Sequence, residues 1–252
     1  MSKLRCPECL IRVESQDATC PQCGYRFRTE QFERILPFMR RPEQQWDKRL
    51  TLIQRLWGII RFPAVAFWDI AHELDRKGPA LIFIGNLTLI SLWYVALASH
   101  IVGATVSLLF GFFGVFVILA ALYMLLNLFY FGLIQLLIGL TGRKGMLAET
   151  FLMGQYAHLP LFFANLLSFV VLMLGLPYAT LGNLASLYLS PLWLIVYGLL
   201  SIGLLWGALL LAMGIRERYR LTTNIALTIT MGVTLFMIIV AVLVRVTVLP
   251  VI

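Results

Sequence analysis

From Ala80 onward the chain is a series of long apolar runs separated by short polar breaks. A helix crossing the hydrocarbon of a bilayer needs about 20 apolar residues. Residues 80–99, 156–175, 191–213 and 223–248 each reach that length. The stretch 101–140 is longer, and it can form either one span near 108–139 or a tight pair of spans. Positive charge separates the two readings, because Lys and Arg collect on the cytosolic side. With one span, residues 1–79, the loop 141–155 (Arg143, Lys144) and the loop 214–222 (Arg216, Arg218, Arg220) share a side that holds 19 of the 20 basic residues. The opposite loops, near 100–107 and 176–190, hold none, and Arg245 near the end of the last span can snorkel outward. The pattern predicts an all-α polytopic membrane protein, a five-helix transmembrane bundle over 80–252 with a cytosolic N-terminus.

Upstream of the bundle the pattern changes. Residues 29–49 are polar, with Pro37 and Pro42, and read as a linker. Residues 50–79 read as an interfacial amphipathic segment. Leu52, Ile53, Leu56, Trp57, Ile59, Ile60 and Phe62 fall on one broad side at helical spacing, and Arg49, Arg55 and Arg61 are expected on the other. Pro63 restarts the helix, and Val65, Phe67, Trp68 and Ile70 follow. Such a segment suits either the lipid interface or the protein's own membrane body.

Composition narrows the class. Of the 252 residues, 60% are apolar and 13% charged, against about half and a quarter in soluble domains. That excludes disorder, a solenoid and an ordinary soluble enzyme. The first 30 residues lack the apolar core of a cleaved signal, so the first span is expected to act as an uncleaved anchor.

All four cysteines lie in the first 23 residues, as Cys6-Pro7-Glu8-Cys9 and Cys20-Pro21-Gln22-Cys23-Gly24. Each C-x-x-C unit can place two thiolates on one tight turn, and a short hairpin between them would complete a tetrahedral S₄ site. Zinc fits best, iron shares the geometry, and two disulfides are the alternative in an oxidising compartment. The spacing resembles the short zinc ribbons at the N-termini of many prokaryotic proteins, giving a head over residues 1–28. So short a segment cannot bury enough apolar surface to fold without the metal. Arg26 and Arg28 beside it read as solvated, and nucleic acid is disfavoured as a partner.

The spans carry little chemistry. After Ala80 the acids are Glu149 and Glu217, both assigned to loops. His100 and His158 read as hydrogen-bonded packing residues. Asn86, Asn127, Gln135 and Asn165 are expected to pair between helices. Gly203 and Gly207 form a G-x-x-x-G suited to close packing within the bundle or to a homo-oligomer face. No nucleotide loop, zinc-protease helix or serine nucleophile motif appears, and no enzyme is expected.

Two short motifs stand at the cytosolic ends of spans one and three. The first is Glu73 followed by Asp75-Arg76-Lys77-Gly78-Pro79. The second is Gly154 followed by Tyr156-Ala157-His158-Leu159-Pro160. Asp75 can cap the first span, Tyr156 can anchor at the lipid interface, and Pro160 can kink the third span. With five spans and a long N-terminal arm, these motifs resemble the Ypt-interacting-protein (YIP domain) family, which carries Asp-x-x-Gly-Pro before its first span and Gly-Tyr-x-x-x-Pro at its third. Gln155 stands in place of the usual glycine, and Lys77 in place of a frequent aromatic. The resemblance implies an integral membrane adaptor or organiser that recruits a cytosolic small GTPase, with the Glu73/Asp75 region facing the partner. It implies a role in endoplasmic reticulum and Golgi traffic in a eukaryote. The ribbon points instead to a prokaryotic cell membrane. The alternative is a small permease or channel with a zinc-ribbon regulatory head.

Overall fold

The long apolar runs fold as helices in the computed structural model, which describes residues 3–5, 11–14, 20, 22, 35–39, 49–101, 106–178 and 190–248. Near the N-terminus β1 (Lys3–Arg5) pairs antiparallel with β2 (Arg12–Glu14). A 3-10 turn lies at Pro37–Met39. Among the described residues the helices are α1 (Leu52–Arg61), α2 (Pro63–His72), α3 (Lys77–Ser99), α4 (Val106–Leu140), α5 (Leu147–Ala157), α6 (Leu159–Gly175), α7 (Leu192–Tyr219) and α8 (Thr223–Val248).

Four of these, α3, α4, α7 and α8, are long and apolar enough to cross a membrane, and α5 with α6 makes a fifth, bent by 47°. The long stretch before residue 140 is one uninterrupted helix, α4. Two spans there would have needed a break. The third span starts earlier than expected, since α5 makes residues 147–157 helical and shortens the loop to 141–146. Its bend lies at His158 and has a covalent cause. Pro160, in the first turn of α6, has no N–H to offer the Tyr156 carbonyl. A new helical ladder then begins as the Phe162 N–H donates to the His158 carbonyl at 3.0 Å.

The helix α7 is central, packing against α2, α5, α6 and α8. Its G-x-x-x-G is used internally. A Cβ on Gly203 would sit 2.9 Å from the Ala164 Cβ, and one on Gly207 would sit 2.8 Å from the Ala157 carbonyl oxygen. The expected amide pairs form across helices. Asn165 donates to Asn86 at 2.8 Å and Gln155 donates to Asn127 at 2.9 Å. Thr150 donates to Gln135 at 2.6 Å. Of the two histidines, His100 hydrogen-bonds the Ala96 carbonyl at 2.7 Å. His158 instead packs against the Tyr130 and Phe131 rings.

The segment before the bundle divides in two. A capping box of Thr51 and Gln54 starts α1, and Pro63 starts α2. The pair is an antiparallel hairpin, with Arg55 beside Asp69 and Gly58 beside Ala66. Phe67 and Ile70 of α2 are fully buried against the bundle, while α1 leaves Ile53, Trp57 and Ile60 exposed. The expected arginine face does not hold together. At 3.6 residues per turn, positions six apart differ by about 240°, so Arg55 turns inward while Arg61 stays outside. The linker is also less free than its polarity suggested. Met39 is fully buried, and Phe38 stacks on Trp206 of α7 with ring centroids 5.6 Å apart.

Candidate functional site at the arginine-rich face

Arg55 is the centre of the site. It sits on the inward side of α1 with 4% of its surface exposed. A buried guanidinium is tolerated only when its donors are taken up by well-placed acceptors. Its Nε donates to Asp69 Oδ2 at 2.6 Å and its Nη1 to Asp75 Oδ2 at 2.7 Å. Its Nη2 lies 3.8 Å from Glu73 Oε2. Burial pulls the Arg55 pKa down, but its hydrogen-bonded partners outweigh that and hold it above the ordinary value. Asp69 is 3% exposed, and its second oxygen accepts the Leu50 N–H at 3.3 Å.

Asp75 joins three elements. Its Oδ1 accepts the Gly78 N–H at 3.2 Å, placing a carboxylate at the positive start of α3. Pro79, in the same first turn, has no N–H to leave unpaired. The Tyr156 hydroxyl of α5 donates to both Asp75 oxygens, at 2.9 and 3.0 Å. Tyr156 is therefore not a lipid-interface anchor, since it is fully buried with its hydroxyl inside the network. The ring fits because residue 78 is glycine; a Cβ there would collide with the Tyr156 hydroxyl.

The structure thus brings Glu73, Asp75, Gly78 and Tyr156 together, with Pro79 in the adjoining turn. Gly154 and Pro160 act from behind. A Cβ on Gly154 would overlap the Phe131 ring, so this glycine sets the approach of α5 to α4, and Pro160 sets the bend that follows. Glu73 pairs with the exposed Arg49 and keeps about a third of its side chain open, as does Asp75. Gln155, in place of the usual glycine, is fully buried and holds Asn127.

Asp69 escaped the sequence reading, and Arg55 entered it only as part of the outward arginine face. Asp69 was the available signal, a lone acid inside the apolar run Pro63-Ala64-Val65-Ala66-Phe67-Trp68-Asp69-Ile70-Ala71. A carboxylate buried there requires a cation.

A second group of polar contacts lies at the same end of the bundle. Arg218 pairs with Glu149 of α5 and donates to the Ala71 carbonyl of α2 at 3.2 Å. Tyr219 shares a hydrogen bond with Thr150 at 2.8 Å. Lys144, Gly145, Met146, Glu149, Arg218 and Tyr219 line an open depression of about 460 Å³. The loops 141–146 and 220–222 therefore share one end of the bundle with α1 and α2, as the charge pattern required.

Of the four candidate metal ligands, Cys20 is buried, whereas Cys6, Cys9 and Cys23 lie outside the described residues. The strands β1 and β2 bracket the Cys6–Cys9 unit in sequence.

In the network around Arg55, two arginines meet three carboxylates, and one of these, Asp75, also meets the start of α3. That arrangement suits fastening elements to each other more than moving protons.

Residues 57–244 match the Yip1 domain. An uncharacterized protein of Haemophilus influenzae is 30% identical over an alignment of 73 residues, and the match covers 27% of this chain and 96% of that protein. No solved structure matches the chain. With the match covering most of its length and the Asp75 and Tyr156 motifs meeting in one hydrogen-bonded network, this multi-pass membrane protein belongs to the Yip1 domain family.

Proposed function

We propose that the chain is a non-catalytic membrane adaptor whose arginine-rich face, held by the Arg55 network, receives a soluble protein partner. The supporting observation is that Arg55, Asp69, Asp75 and Tyr156 fasten α1, α2, α3 and α5 into one rigid surface while Glu73 and Asp75 stay partly open at its rim. By family resemblance the partner is a small GTPase or a protein of similar build. The excess of Lys and Arg supports a cytosolic position for this face, and the ribbon-like spacing of the cysteines supports a prokaryotic cell membrane. The four cysteines are proposed to hold one zinc ion, a donor set that fits four-coordinate Zn²⁺, and to make the head a second docking element. Proximity labelling from the N-terminal arm in native membranes tests the reading. Glu73→Lys should remove the labelled partner while the protein stays inserted, and an unchanged set of labelled proteins would contradict it.

The permease reading draws on one observation. Inside the bundle the Gln155 Oε1, His158 Nδ1 and Tyr123 hydroxyl oxygen are buried without a hydrogen-bond partner among the described residues. Solute flux in liposomes that vanished in Gln155→Leu would favour it over the adaptor.

A further inference from the structure

The hairpin α1–α2 does not lie flat on the bundle. Two contacts fix its direction beside α7. Phe67 packs at Gly214, where a Cβ would approach its ring edge to 3.1 Å. Four residues on, the Ala71 carbonyl accepts from Arg218, itself four residues beyond Gly214. The two helices therefore run in the same direction at this point, with the C-terminal end of α2 beside the charged end of α7. The hairpin tip at Phe62–Pro63 points the other way, along the membrane-spanning part of α7. Counting the rise per residue, Phe62 lies about 10 Å below the level of Arg216. With Arg216 at the headgroup level, that places the tip inside one leaflet, whose hydrocarbon is about 15 Å deep.

The outer surface of the hairpin matches such a position. Ile53, Trp57, Ile60 and Phe62 are all more than half exposed, and the first three share a face at helical spacing. On the span α3, Leu81 and Ile84 are similarly exposed. Arg55 is turned inward and neutralised by Asp69 and Asp75, so it does not oppose burial in lipid. Arg61 lies over the Phe62 ring at 5.4 Å, from where its long stem can carry the charge up to the headgroups.

We propose that α1–α2 is a re-entrant wedge seated among the acyl chains of the leaflet on the arginine-rich side, and that it gives the protein a preference for membrane curved convexly on that side. The five spans cross both leaflets, whereas the hairpin takes up area in one leaflet alone, so the protein is broader there. This inference is independent of partner recruitment.

Depth-resolved quenching on the full-length protein in phosphatidylcholine–phosphatidylglycerol vesicles tests it. A fluorescent amino acid is placed at position 57, 60 or 62, with position 49 as the aqueous reference. Lipid carrying a nitroxide high on its acyl chain should quench 57, 60 and 62, and aqueous iodide should quench 49. Iodide quenching at 60 and 62 without quenching by lipid would overturn the wedge. A second measurement follows the protein on membrane tubes drawn from giant vesicles with the arginine-rich side outward. The wild type should be enriched on the tubes. The variant I53Q/W57Q/I60Q, altered only at exposed positions, should lose that enrichment while keeping the wild-type thermal midpoint. Equal tube enrichment of both, or none for the wild type, would overturn the curvature preference.

Discussion

The hydroxyl of Tyr156 donates to the carboxylate of Asp75 across 81 residues of chain, tying the bent third span to the start of the first. Phenylalanine at 156 keeps the ring and removes the donor. A hydrogen bond to a charged group contributes about 1.5–3 kcal/mol. Tyr156→Phe should therefore lower the thermal unfolding midpoint in detergent, and an unchanged midpoint would mean the bond carries no net stability.

Removing Arg55 should cost more. Arg55→Met leaves Asp69 buried without its cation, a loss of about 3–5 kcal/mol for a broken buried pair. The double variant R55M/D69L removes both charges. Its loss should be smaller than the sum of the two single substitutions, because the residues act as one unit. Denaturant titration of all four proteins measures this coupling, and simple additivity would contradict the pairing.

Two glycines give a matched comparison. A Cβ on Gly78 meets the Tyr156 hydroxyl, whereas one on Gly139 meets nothing within 4 Å. Gly78→Ala should destabilise by about 1–3 kcal/mol through overpacking. Gly139→Ala, inside α4, should be neutral or mildly stabilising. Thermal midpoints in the reverse order would show that the Gly78 approach is unimportant.

The head provides a metal prediction. Purified protein should release about one zinc equivalent to a colorimetric chelator, as expected for one four-thiolate site. Cys20→Ser should release far less while protease protection of the spans is unchanged. A full zinc equivalent in that variant would rule out the four-cysteine site.

The spans were legible because hydrocarbon imposes a length and basic residues mark a side, two signals that survive in linear order. Pro160 announced its bend for a similar reason, since a missing N–H is local. The roles of Asp75 and Gly78 were half legible. The capping contact was foreseen, but the Tyr156 ring that requires a glycine at 78 comes from a distant helix. Arg55 was misplaced because its spacing from Arg49 and Arg61 resembles a repeat but does not return to one helix face. Phe38 and Met39 were hidden by their polar neighbours, and the Trp206 ring that receives the first and the core cluster that receives the second come from distant parts of the chain.

Arg55, Lys144 and Arg218 lie at one end of the bundle, and the adaptor proposal requires that end to face the cytosol. Side-specific labelling with a membrane-impermeant thiol reagent tests this directly, using single cysteines at positions 144 and 178 in intact cells of the native host with the head cysteines replaced by serine. Position 178 should react from outside, and position 144 should react only after the membrane is opened. Labelling of position 144 in sealed cells would contradict the topology and the adaptor reading built on it.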